Sequence, residues 1–187
     1  MIPVGYMLKK VSQKPDWLKA NGILDIYSVS GCCSEDFADY TNFWKHNGYW
    51  LFDSPDVIRA VAEKEHIDMS GTQFFYYESY ERQYSEKDKT WHDFLPEKSF
   101  VTNIQVPVKK KIEGYDVVTF RGNPGHSPLS CNSLADEIPV NQHCLLKSFE
   151  DARQYLEDGK FNNAEPGPFR IFAVYSLPDI LEEVSNT

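Results

Sequence analysis

Cysteine and histidine carry most of the chain's capacity for chemistry, and they gather in two nearby stretches. The first is a loop-forming run, Gly122-Asn123-Pro124-Gly125-His126-Ser127-Pro128-Leu129-Ser130-Cys131-Asn132, and the second is Asn141-Gln142-His143-Cys144. A cysteine nucleophile needs thiolate character and a base within hydrogen-bond reach. Cys131 supplies the sulfur, His143 or His126 the base, and Asn141 or Asp136 a group to orient it. Cys131 also stands where a short helix would begin, and a helix start lowers a thiol's pKa. The glycines and prolines make the first run a shaped loop. Its backbone amides suit an anion or small ligand held by Asn123, Gly125 and Asn132. Neither the phosphate-loop signature nor the dinucleotide fingerprint is present.

The same residues admit two other readings. Free cysteines are most often buried as small hydrophobes. Alternatively Cys32, Cys33, Cys131, His143 and Cys144 contain enough soft donors for zinc. Adjacent Cys32-Cys33 and adjacent His143-Cys144 lack the gap by which paired ligands converge, so a zinc-supported domain requires donors brought together from separate elements. No metal ligand and no cofactor is assigned on spacing alone. A further candidate lies in the aromatic stretch at Thr72–Tyr84, where strand periodicity puts Tyr76, Glu78 and Tyr80 on one face. Tyr76 and Glu78 there suit a small-molecule groove or a partner surface.

Composition bounds the possibilities. The chain has 187 residues, a net charge of -9 and a pI of about 5.0. Twelve Phe, eleven Tyr and four Trp make disorder untenable. The acidic balance argues against nucleic acid, and the only compact basic run, Lys109-Lys110-Lys111, reads as a turn between strands. No apolar run is long enough for a bilayer, and the start carries no secretory pattern, so a cytoplasmic protein with reduced thiols and no membrane partner is expected.

These side chains must be positioned by a mixed set of elements. Strands are expected over Met1–Val11, Ile23–Ser30, Thr72–Tyr84, Phe100–Val108, Tyr115–Phe120, Val140–Leu146 and Phe169–Tyr175, with Phe169–Tyr175 central. Phe100–Val108 and Tyr115–Phe120 read as a hairpin or as sheet neighbours. Helices are expected after three caps: Ser34, with the stripe Phe37, Tyr40, Phe43 and Trp44; Ser54-Pro55-Asp56; and the capping box of Ser148 with Asp151. Short helices are also expected at Asn132–Glu137 and Pro178–Val184. Strands outnumber helices without a strict strand-helix-strand rhythm. This predicts one α+β domain over residues 1–187, a mostly antiparallel mixed sheet with helices packed on it.

Four segments, Gly114-Tyr115-Asp116-Val117-Val118, Ser127 to Asn132, Asn141 to Cys144 and Glu165-Pro166-Gly167-Pro168-Phe169-Arg170, resemble members of an uncharacterised bacterial group with no assigned function. The resemblance implies no role for any residue. The leading functional expectation is a protein that binds a small molecule or a protein partner, with homodimer formation through an exposed aromatic face. The alternatives are a small enzyme using Cys131 with His143, and a zinc-supported domain. Sequence does not choose between enzyme and binding protein.

Overall fold

The computed structural model describes residues 1–40, 47–94, 102–119 and 125–177. Its centre is an antiparallel sheet. The strands are β1 (Ile2–Lys10), β2 (Ser12–Gln13), β3 (Asp25–Ile26), β4 (Glu35–Asp36), β5 (Gln73–Ser85), β6 (Thr90–Asp93), β7 (Lys111–Thr119) and β8 (Phe169–Ser176). The main sheet runs β4-β1-β5-β8-β7, β6 also pairs with β5, and β2 and β3 form a separate two-stranded ribbon. Every pairing is antiparallel.

Both faces of the sheet are covered. Alternate residues of β7 and β8 enter different clusters: Val117 and Ile171 join Leu129, Leu134 and Leu156, whereas Val118 and Phe172 join Ile58 and Phe75. Strands buried on two sides read as near-continuous apolar runs, which is how Phe169–Tyr175 reads. The α+β architecture with a largely antiparallel sheet is therefore the architecture of the molecule.

Two helices form as their caps direct. In α1 (Pro55–Glu65) Ser54 Oγ accepts from the Val57 amide, Pro55 occupies the first turn, and His66 ends the helix in the left-handed region. In α3 (Phe149–Glu157) Ser148 Oγ accepts from the Asp151 amide at 3.0 Å. Between them lie a four-residue helix, α2 (Pro128–Cys131), and a 3-10 turn at Leu134–Asp136, inside the stretch expected to be a short helix.

Four expectations give way. Ile23–Ser30 is strand only at Asp25–Ile26, because the carbonyls of Ser28, Val29 and Ser30 turn onto one ammonium group. The helix expected after Ser34 is replaced by β4, which pairs with Lys9 and Lys10, and by a 3-10 turn at Phe37–Tyr40; residues 41–46 lie outside the described residues. Residues 102–107 carry no strand, and β7 pairs with β8 instead of with them. Val140–Leu146 is a turn joined to β7 by one bridge, Tyr115 to Leu146. Asn141 Oδ1 accepts the amides of His143 and Leu145, which curls a segment whose residue types favour extension. Gly114 makes room for this turn: its φ is 151°, and a Cβ there would stand 2.7 Å from Leu145 Cβ. The expected helix over Pro178–Val184 lies outside the described residues.

Candidate functional site

Lys9 is where the site begins. It is the first of two lysines that close the apolar strand β1 and, unlike Lys10, it is fully buried. An unpaired buried ammonium is prohibitively costly, and Lys9 Nζ is satisfied by the carbonyls of Ser28, Val29 and Ser30 at 2.8–3.1 Å and by Asp36 Oδ1 at 3.0 Å. Three consecutive carbonyls on one cation fix the segment that leads into Gly31-Cys32-Cys33.

A second buried charge holds the same segment from its amide side. Asp116 on β7 is wholly buried, and its Oδ2 accepts from the Val29 amide at 2.8 Å and from Ser127 Oγ at 2.6 Å. Ser127 Oγ in turn accepts from the Ser30 amide at 3.3 Å. Burial pushes the Asp116 carboxyl up to about 6, and the hydrogen bonds from Ser127 and Val29 hold it from rising further. Among the described residues its Oδ1 has no hydrogen-bond partner.

Ser127 precedes α2, and α2 ends on Cys131. Cys131 is thus delivered to Cys32, 99 residues away in sequence, and the two form a disulfide with Cα atoms 6.0 Å apart. Ser30 Oγ lies 3.4 Å from Cys32 Sγ and 3.5 Å from Cys131 Sγ. His126 completes the group. Its backbone makes a two-way 2.9 Å bridge with Thr119 at the end of β7, and its Nδ1 reaches to 3.3 Å from Cys32 Sγ. The Glu165 carboxylate stands 4.0 Å from the same nitrogen. Cys32 is exposed, whereas Cys131 and His126 are half-buried. Their ligand atoms lie within 4.8 Å of one another, close enough to hold a metal ion once the sulfurs are reduced. The result is a clustered Cys32, His126 and Cys131 site whose chemistry is that of thiols, disulfides and soft metals.

Comparisons of the chain with protein-family models, with curated proteins and with solved structures return no match. The site is therefore read from its own geometry.

The structure brings His126, and not His143, to the cysteines. Cys131 ends α2 instead of starting it. The His143 ring stacks on Tyr27 with centroids 4.0 Å apart. Its Nδ1 meets Asp25 Oδ1 at 2.6 Å, and its Nε2 has Gln142 at 3.1 Å and Glu113 at 3.6 Å. Asn141 orients the backbone of that turn and donates to the Glu113 carbonyl. Asp136 accepts from the amides of Lys19 and Ala20, which fastens the N-terminal loop. Of the loop candidates, Gly125 has its carbonyl 4.0 Å from Cys32 Sγ, Asn132 is the exposed residue after α2, and Asn123 lies outside the described residues.

Tyr76 and Glu78 do share a face of β5, and Tyr175 of β8 joins them. Glu78 accepts from Tyr175 Oη at 2.9 Å, from Tyr76 Oη at 3.4 Å and from Lys110. Burial alone would raise the Glu78 carboxyl, but these donors hold it below its usual range. Lys110 Nζ lies over the rings of Tyr175 and Tyr76, 4.3 and 4.9 Å from their centroids. The remaining cysteines are inward-facing: burial pushes the thiol of Cys33 up and that of Cys144 far up.

Residue types did not reveal Cys32 as the partner of Cys131, nor Lys9, Ser30 and Asp116 as supports. The available signals were a lysine ending an alternating apolar strand and an aspartate inside Tyr115-Asp116-Val117-Val118. Among the described residues no helix is long and apolar enough to cross a membrane.

Proposed function

We propose that Cys32 and Cys131 form a thiol–disulfide exchange site, with Cys32 as the attacked and attacking sulfur. The observation that carries this is the asymmetry of the pair. Cys32 is an exposed residue with a histidine nitrogen 3.3 Å from its sulfur, while Cys131 is half-buried. Exchange goes through a mixed disulfide and requires access to one sulfur. A thiolate of a partner dithiol bonds to Cys32 Sγ, the Cys32–Cys131 bond breaks, and Cys131 takes up a proton. The partner's second thiolate then bonds to its own first sulfur, and Cys32 leaves as a thiolate beside His126 and is protonated. Two electrons and two protons move from the dithiol to the protein, and the partner departs as a disulfide. The reverse sequence oxidises a dithiol. Incubation across glutathione buffers of graded poise, followed by alkylation and mass spectrometry, tests the reading. Cys32 and Cys131 should convert together in one two-electron transition, with Cys144 unchanged in both forms. A pair that stays bonded through a thousandfold excess of dithiothreitol, or that stays reduced at every poise, defeats it.

The three donors within 4.8 Å favour a second reading, a soft-metal site in the reduced protein. Two thiolates and an imidazole match a zinc centre with an open fourth position. Zinc titration of reduced protein against a chromophoric chelator tests it. One equivalent should bind, and Cys32→Ser or His126→Ala should each weaken binding at least tenfold; equal binding by both variants would remove this reading.

A further inference from the structure

The two chain segments that carry the sulfurs are joined by the disulfide and, beneath it, by a buried carboxylate that both segments reach. We propose that Asp116 is a positioning residue that sets how readily Cys32 and Cys131 close, by clamping both segments onto one oxygen atom. The inference rests on the exchange reading above and concerns how that site is regulated. Asp116 Oδ2 takes the Val29 amide from the Cys32 side and the Ser127 hydroxyl from the α2 side. Ser127 Oγ also takes the Ser30 amide, and Ser30 Oγ reaches both sulfurs. With the disulfide open, this carboxylate still ties the two segments together, so it raises the effective concentration of one thiol at the other.

Hydrogen bonds to a charged acceptor are roughly twice as strong as those to a neutral one, so the clamp works best when Asp116 is ionised. The groups that face Asp116 are Lys9 from β1, Tyr77 from β5, Cys33 from the Cys32 segment and Cys144 from the 141–146 turn. Lys9 favours the carboxylate, while burial opposes it and holds the carboxyl up to about 6. The proton goes on Oδ1, the oxygen with no hydrogen-bond partner among the described residues, and leaves Oδ2 a weaker, neutral acceptor. By linkage, closing of the disulfide and ionisation of Asp116 favour one another.

The test is the closing constant of the pair against glutathione, whose couple carries the same two protons and leaves a flat baseline below the thiol pKa values. From about pH 5 to about pH 7.5 the constant should rise severalfold in the wild-type protein. In Asp116→Asn it should be flat and, at the upper pH, about tenfold lower, equivalent to about 30 mV. Ser127→Ala removes one arm and should lower it about threefold; if Asp116→Asn does not fold, this variant decides alone. Wild-type constants retained by the folded variants at every pH overturn this proposal and leave the exchange reading standing. A wild-type pair that never exchanges removes both.

Discussion

Two histidines lie beside β7, His126 bridged to Thr119 and His143 within the turn bridged to Tyr115, and they have opposite surroundings. His143 is saturated: carboxylates approach both ring nitrogens, and Tyr27 covers one ring face. His126 has a sulfur at one nitrogen, a carboxylate at the edge of reach, and about a third of its side chain exposed. A ring whose hydrogen bonds are all taken is a structural tie. A ring with an open flank beside a sulfur has something left to do. The contrast extends downward, because the sulfur cluster stands on two buried charges, Lys9 and Asp116, whereas the acid cluster of His143 lies along the sheet edge.

Removing the support under the sulfurs should have the largest effect. Lys9→Met takes the ammonium away from the buried Asp36 carboxylate and from three carbonyls, and should cost about 3–5 kcal/mol in chemical denaturation, with loss of the disulfide. A loss below about 1 kcal/mol would mean that the segment is held by something else. Next in size is the pH dependence from Asp116. Its folded pKa of about 6 stands above the unfolded value of 3.8, so the folded state binds the proton more tightly. The resulting stability is full below pH 4 and lost as pH rises through 6. The stability of the wild type relative to Asp116→Asn should therefore fall by about 3 kcal/mol over that window; a flat difference would place the titration elsewhere.

The smaller effects separate the histidines directly. His143→Ala leaves Asp25 and Glu113 without their shared partner and should lower stability by about 1–3 kcal/mol, with no change in the alkylation rate of Cys32 in reduced protein. His126→Ala should do the reverse, shifting stability by no more than about 0.5 kcal/mol and slowing Cys32 alkylation severalfold near neutral pH. Interchanged outcomes would reverse the assignment of the two rings.

Local chemistry was legible in the sequence and long-range chemistry was not. Ser54-Pro55-Asp56 and the Ser148–Asp151 box state their helices in a few residues, because capping satisfies amides within the same turn. The apolar run of β8 states a strand buried on both sides. By contrast, Ile23–Ser30 and Val140–Leu146 have the residue types of strands and lose that form, the first to Lys9 from β1 and the second to the side chain of its own Asn141 in the room that Gly114 leaves. The loop around His126 and Cys131 supplies two of the three donors of the cluster. Its completion by Cys32 was hidden because nothing local to either cysteine encodes a contact 99 residues away. Choosing His143 over His126 from sequence had the same cause, since which acids saturate a ring is decided by the packing of β3 and β7.

The ammonium of Lys9 also couples two parts of the chain. A cation cannot remain buried without its carbonyls, and the three carbonyls cannot converge without the cation. Residues 28–30 and the Lys9 end of β1 therefore take their places together. The Cys32–Cys131 bond, whose closing passes two electrons to an outside oxidant and releases two protons, depends on that same joint step, because residues 28–30 lead into Cys32.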